Sequence, residues 1–214
     1  MKRLLATAGA LAVLLTGCGA KTPDYQSIWT TSSTSAPPDA ENQPVPLWQY
    51  LEDSGVVGEP VAPEKIPHLN VTMPTPPGWQ PYNNPNLAPG TRMIAKGDTY
   101  PTSMLLAFKL HGDFDVPKAL EEHGYADAQL SENFKQLNAS HADWKGFPSA
   151  MIEGSYDLNG RRMQTYNRIV IPDDGLQPPQ RYLIQLTITT YADEAAAQGP
   201  DIESIISGFD VAKK

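Results

Sequence analysis

The side chains able to do chemistry are few and scattered. His68, His111, His123 and His141 stand apart, never at the spacing of two or four residues that lets a strand or helix present a pair to a metal. Asp113 and Asp115, beside His111, place two acids two residues apart, which suits either a hard cation or the cap of a helix entered at this turn. Ser140 precedes His141, yet the chain has no nucleophile elbow, phosphate-binding glycine loop, dinucleotide fingerprint or His-Glu-x-x-His pair. These residues point away from catalysis and from any metal or cofactor. The only cysteine, Cys18, excludes an internal disulfide, a four-cysteine metal site and a Cys-x-x-Cys redox centre.

The context of that thiol suggests a different use. Lys2 and Arg3 head an apolar run over residues 4–15, the layout of an export signal, and the run is too short to span a bilayer. It ends in Leu15-Thr16-Gly17-Cys18, which resembles a bacterial lipobox. In that reading residues 1–17 are a signal peptide cut between Gly17 and Cys18. The Cys18 thiol takes diacylglycerol, and the new amine takes a further chain such as palmitate. The competing reading is an ordinary secretory signal that contains a cysteine. Two or three acyl chains anchor a protein stably, at about 0.8 kcal/mol per buried methylene, so membrane attachment would rest on Cys18.

Charge gives no help to that attachment. Sixteen basic and twenty-four acidic residues set the net charge at -8, and loss of Lys2 and Arg3 with the signal leaves -10. Such a chain repels phosphate backbones, which argues against nucleic-acid partners.

Two aromatic pairs are candidates for contact with an apolar or sugar-bearing ligand. Trp79 and Tyr82 lie in a stretch stiffened by Pro74, Pro76, Pro77, Pro81, Pro85 and Pro89, and Trp144 and Phe147 flank Gly146. The alternative is that each ring closes an end of the core.

The elements that must position these residues follow from composition and periodicity. Residues 18–46 combine the lipidation site with a Ser/Thr/Pro-rich run that cannot bury a core and reads as a disordered tether. If flexible, its r.m.s. span is about 30 Å. Residues 47–214 read as one domain. A short helix opens it and ends near Gly55, and strands follow over residues 69–73, 92–95 and 102–110. Asp113 or Asp115 caps a helix that carries Pro117 in its first turn and runs to His123, and a second helical stretch covers residues 126–137. Asn159-Gly160 joins strands 150–156 and 161–171 as a tight hairpin. Residues 182–190 form another strand, and residues 201–207 a terminal helix stopped by Gly208. The sum is an α+β fold, a mostly antiparallel sheet of about six strands flanked by helices.

The order of these pieces resembles a known family. The lipobox, the tether, Tyr50-Leu51-Glu52-Asp53, the Pro-Pro-Gly-Trp element ending at Trp79, Gly112-Asp113-Phe114-Asp115, Gly146-Phe147-Pro148, Gly154-Ser155-Tyr156 and the Asn159-Gly160 hairpin are similar to the LpqN/LpqT lipoproteins of mycobacteria. The resemblance implies a PsbP-like α/β/α sandwich and a non-catalytic protein. It further implies a lipid-anchored position on the outer face of the cell membrane, in the periplasmic or cell-wall space, and a link to trehalose mycolate glycolipids and MmpL-type transporters. It carries no shared catalytic motif. A surface module that docks proteins, host ones included, without carrying lipid is the alternative function, and a hydrolase is the third.

Overall fold

The computed structural model describes residues 43–83 and 85–214. Cys18, Gly17, the signal and most of the tether lie outside the described residues. Pro46 leads into helix α1 (Leu47–Asp53), which buries Leu47 and Leu51 on one face and ends before Gly55, whose φ of +76° reverses the chain. Strand β1 (Val57–Pro60) and a 3₁₀ turn (Pro63–Lys65) precede β2 (Leu69–Thr72). Then come β3 (Gln80–Pro81), β4 (Arg92–Ala95) and β5 (Thr102–His111). Helices α2 (Val116–His123) and α3 (Ala126–Gln129) follow, then β6 (Lys135–Ser140), β7 (Ser149–Leu158), β8 (Arg161–Val170) and β9 (Tyr182–Tyr191). Helix α4 (Ala195–Gly208) and β10 (Asp210–Lys213) close the chain.

Eight strands form one antiparallel sheet in the order β3-β4-β5-β9-β8-β7-β6, with β1 extending the edge of β5 beyond β4. Its centre is the hairpin-linked trio β7, β8 and β9, in which Asn159 (φ +50°) and Gly160 (φ +75°) make the tight turn expected of Asn-Gly. Alternation along the strands then sorts side chains to two faces. Leu105, Ala107, Ile184, Leu186 and Ile188 pack under α4 and a separate ribbon made by β2 and β10. Phe108, Leu110, Ile169 and Leu183 pack under α1 and α2. The α+β architecture with a sheet between two covering layers is therefore as the sequence implies.

Several elements depart from that expectation. Only residues 126–129 of the second helical stretch are helical, because Asn133 adopts φ +51° and breaks the run. Residues 135–140 instead pair as an edge strand with β7, and a register shift between Gln136 and Asn138 leaves Leu137 exposed. The final helix begins at Ala195 rather than Asp201. Pro200 removes one backbone bond near its start, and the alanine-rich first turn carries the helix through. Strands β1, β3 and β10 are too short to show periodicity, and together with β6 they bring the count to ten among the described residues rather than about six.

Phe209, between α4 and β10, is fully buried and stacks on Trp144 with ring centroids 5.9 Å apart. Phe209→Ala is expected to cost about 3–5 kcal/mol, the usual cost of emptying a core aromatic site. Urea unfolding checks this, and a loss below about 1 kcal/mol would show that the α4 layer contributes little.

Candidate functional site

The four aromatic candidates occupy three different places. Trp79, only 2% exposed, is a core residue at the β3 edge of the sheet rather than a ring presented on the Pro-rich loop. Its indole N–H donates to Asp201 Oδ2 at 3.0 Å, and Lys96 Nζ meets the same oxygen at 2.8 Å, tying α4 to the sheet. Tyr82 packs on the opposite core, under α1 and α2. Trp144 and Phe147 do come together. Lys145 (φ +53°) and Gly146 (φ +84°) form a tight turn, and the two residues exchange backbone bonds of 2.8 and 3.0 Å that place their side chains together at the β6–β7 edge. Phe147 and Lys145 also line an open surface hollow of about 530 Å³ with Asp173 and Lys213.

The Asp201 contacts set a pH dependence. The Lys96 and Trp79 hydrogen bonds hold its carboxyl below the ordinary aspartate value. A depressed pKa contributes stability that is complete above the unfolded value and is lost as pH falls through the folded one. Asp201→Asn should therefore destabilise the protein at neutral pH, and the gap between variant and wild type should close in strongly acidic buffer. Urea unfolding at a series of pH values measures it, and a gap that widens on acidification would contradict the assignment.

The remaining titratable candidates are dispersed. Asp115 accepts from Lys118 N at 3.0 Å as the cap of α2, and exposed Asp113 faces Arg181 at 3.7 Å, so capping accounts for Asp115. His111 meets Glu59 at 2.9 Å, His123 stacks on Tyr50, and His141 stacks on Tyr125 rather than addressing Ser140. Ser140 Oγ accepts from Ala142 N. Desolvation raises the Asp127 carboxyl to about 6. Among the described residues no group of three or more His, Cys, Asp or Glu gathers at a metal-binding distance.

A different cluster lies on the central strands, on the face that carries α1 and α2. The register builds three cross-strand rows across β5, β9, β8 and β7: Leu106–Gln185–Ile169–Ala150, Met104–Thr187–Asn167–Ile152, and Thr102–Thr189–Thr165–Gly154. Beyond the first row stand Phe108 and Leu183, under the helices. The face thus grades from apolar to hydroxyl-bearing along the strand direction, with no charged side chain in these rows. At its middle, Gln185 Nε2 and Thr187 Oγ1 both donate to Asn167 Oδ1, at 2.9 and 3.1 Å. Gln185 is 3% exposed and its Oε1 has no partner among the described residues. A buried carbonyl left in this state costs about 1–3 kcal/mol. Burial raises the Tyr156 phenol above the ordinary tyrosine value, opposed by its hydrogen bond with Thr189. Gly154 closes the third row because the Phe134 ring lies over it: a Cβ there would fall 2.3 Å from that ring.

Sequence reading missed Asn167 and Gln185, which look like the solvent half of alternating strands. The one visible signal is at Gln185, which lies mid-strand in an apolar run, where a sheet covered on both faces has no solvent side; Asn167, between Tyr166 and Arg168, gives none.

Comparison with known proteins places this architecture. Residues 43–212 match the family model described as "Probable lipoprotein LpqN". Lipoprotein LpqT of Mycobacterium tuberculosis is 57% identical over 216 residues, covering 99% of this chain and 95% of its own. The proline-rich 28 kDa antigen of Mycobacterium bovis is 36% identical over 169 residues, covering 77% of this chain and 53% of its own. The crystal structure of LpqN, involved in cell envelope biogenesis of Mycobacterium tuberculosis, superposes with a TM-score of 0.65 at 20% identity. It covers 78% of this chain and 98% of that one, which supports the fold. Matched across its domain by the family model and along nearly its whole length by LpqT, the chain belongs to the LpqN/LpqT family of mycobacterial lipoproteins.

Proposed function

We propose that the protein is a non-catalytic lipoprotein, held at the outer face of the cell membrane by lipid on Cys18, whose domain binds a glycolipid of the trehalose mycolate type and exchanges it with an MmpL-type transporter. The observation that carries this reading is the graded face of the central strands. An amphiphile needs apolar wall at one end and uncharged hydrogen-bonding groups at the other, and the rows from Phe108 to Thr165 supply both in order. A sugar hydroxyl donates and accepts at once. It can donate to Gln185 Oε1 while accepting a hydrogen bond from Asn167 Nδ2, and the half-buried Phe134 ring offers an apolar surface at the hydroxyl-bearing end. A neutral sugar suits rows without charge, because no ion is left buried without a partner.

The test is a titration of the full chain, in mild non-ionic detergent, with a trehalose monomycolate. Saturable binding at one molecule per chain, with free trehalose a weak competitor, is the expected result. No saturable binding would refute the carrier reading and leave protein docking in its place, for which exposed Leu137 on the β6 edge is the natural contact.

A further inference from the structure

The opposite face of β8 carries a buried cation with no anion. Arg168 is 7% exposed, and its side chain lies on the α4 side of the sheet, across from Met151 and Leu186. Its Nε donates to Tyr166 Oη at 2.6 Å and its Nη1 to Ser149 Oγ at 3.0 Å. Its guanidinium carbon stands 4.2 Å from the centroid of the Trp144 ring. Both hydrogen-bond partners are neutral. Glu153, opposite Tyr166 on β7, and Glu203 on α4 act on the Tyr166 phenol through space. Among the described residues, however, no carboxylate lies within 4.0 Å of the Arg168 nitrogens.

That arrangement leaves a positive charge without a neighbouring anion and a fork whose tip is open rather than sealed. Removing a guanidinium from water costs several kcal/mol unless a partner offsets it, and stacking on an indole returns about 2 kcal/mol. The outer fork, Nη2 and the second hydrogen of Nη1, makes no bond among the described residues. The stacked indole repeats the pattern: Trp144 Nε1 is buried and without a partner among the described residues. A positive charge with an open donor fork and only neutral acceptors beside it selects an anion. The planar outer fork matches a carboxylate edge to edge. The surroundings select what that carboxylate is attached to, because Trp144 stacks on Phe209, Met151 is buried on the same face, and Phe147 lies across the turn. Lys145 links the stack to the surface, since its Nζ stands 5.6 Å from the Trp144 ring centroid and it lines the open hollow.

We infer that Arg168 and Trp144 form a binding site for the carboxylate of an apolar-chain acid, of the fatty-acid class, entered from the hollow beside Phe147. The site lies on the other face of the sheet from the graded rows, so it is independent of glycolipid binding there.

The experiment follows the indole ¹⁵N–¹H signals of the full chain in non-ionic detergent during titration with octanoate, with octanol and inorganic phosphate as separate arms. W144F identifies the Trp144 signal. The expected result is a saturable shift of that signal with octanoate alone. R168Q should weaken it about tenfold or more, the loss of a charge-assisted pair, while the Trp48 and Trp79 signals report an intact fold. No shift with octanoate, equal binding of octanol, equal or tighter binding of phosphate, or unchanged affinity in R168Q would each overturn the assignment. Should R168Q lose the Trp48 and Trp79 signals, R168K keeps the charge without the fork. Severalfold weaker octanoate binding is then expected, and unchanged affinity would overturn the inference.

Discussion

Cys18→Ala is expected to move the protein from an almost wholly membrane-bound form to one that is either shed or retained as an uncleaved precursor. Two acyl chains on the thiol, at about 0.8 kcal/mol per buried methylene, hold a protein effectively permanently, whereas a single chain binds marginally. Cleavage of the signal would leave a net charge of -10, which opposes anionic head groups, and no helix among the described residues is long and apolar enough to cross a membrane. Detergent-phase partition with intact-mass measurement reads both outcomes. Mature-sized alanine variant that stays in the membrane in unchanged amount would disprove lipidation at this residue.

The second large effect is on glycolipid binding. Replacing Asn167 and Gln185 together by leucine should weaken a trehalose monomycolate about 30-fold or more while leaving the unfolding free energy nearly unchanged. Two lost hydrogen bonds of about 1–1.5 kcal/mol each give that factor. Stability is spared because both amides go together: the Gln185–Asn167 bond disappears with both partners, and the carbonyl oxygen that lacks one goes too. Thr187, half-buried, keeps access to water. The single variant N167L should be the less stable protein, because it strands the Gln185 amide that donated to it. Side-by-side titration and urea unfolding of wild type and the two variants separate the two effects. Equal affinity in the double variant and wild type would remove these amides from the site.

What could be read from sequence divides along physical lines. Helix α1, the Asp115 cap and the Asn159-Gly160 hairpin rest on local chemistry, and each is where the residues put it. The strands of the central sheet were equally visible because their apolar runs are long. Partnership was not. Residues 69–73 read as a strand, but their pairing with β10 depends on a C-terminal segment whose only buried apolar residue is Val211. Residues 135–137 fit a helix by composition, and one left-handed residue, Asn133, sends them to the sheet edge. The candidate site was less legible still. Trp79 looked like an exposed ring on a stiff loop, but its partner Asp201 lies 122 residues away, a distance no local pattern reports. Asn167, Gln185 and Arg168 acquire meaning only from burial: in an open sheet they would be ordinary solvent-facing residues, and under a covering layer they become buried polar groups, with Gln185 Oε1 left unpartnered among the described residues.

A domain that binds glycolipid in the cell should bring that lipid with it through purification. The full chain, purified from a mycobacterial host in mild detergent, should release on organic extraction a trehalose mycolate-type species at close to one molecule per chain, as read by mass spectrometry. The double leucine variant, purified in parallel, should release far less. Repeated recovery of wild-type protein with no such lipid, or with equal amounts on both proteins, would contradict the account.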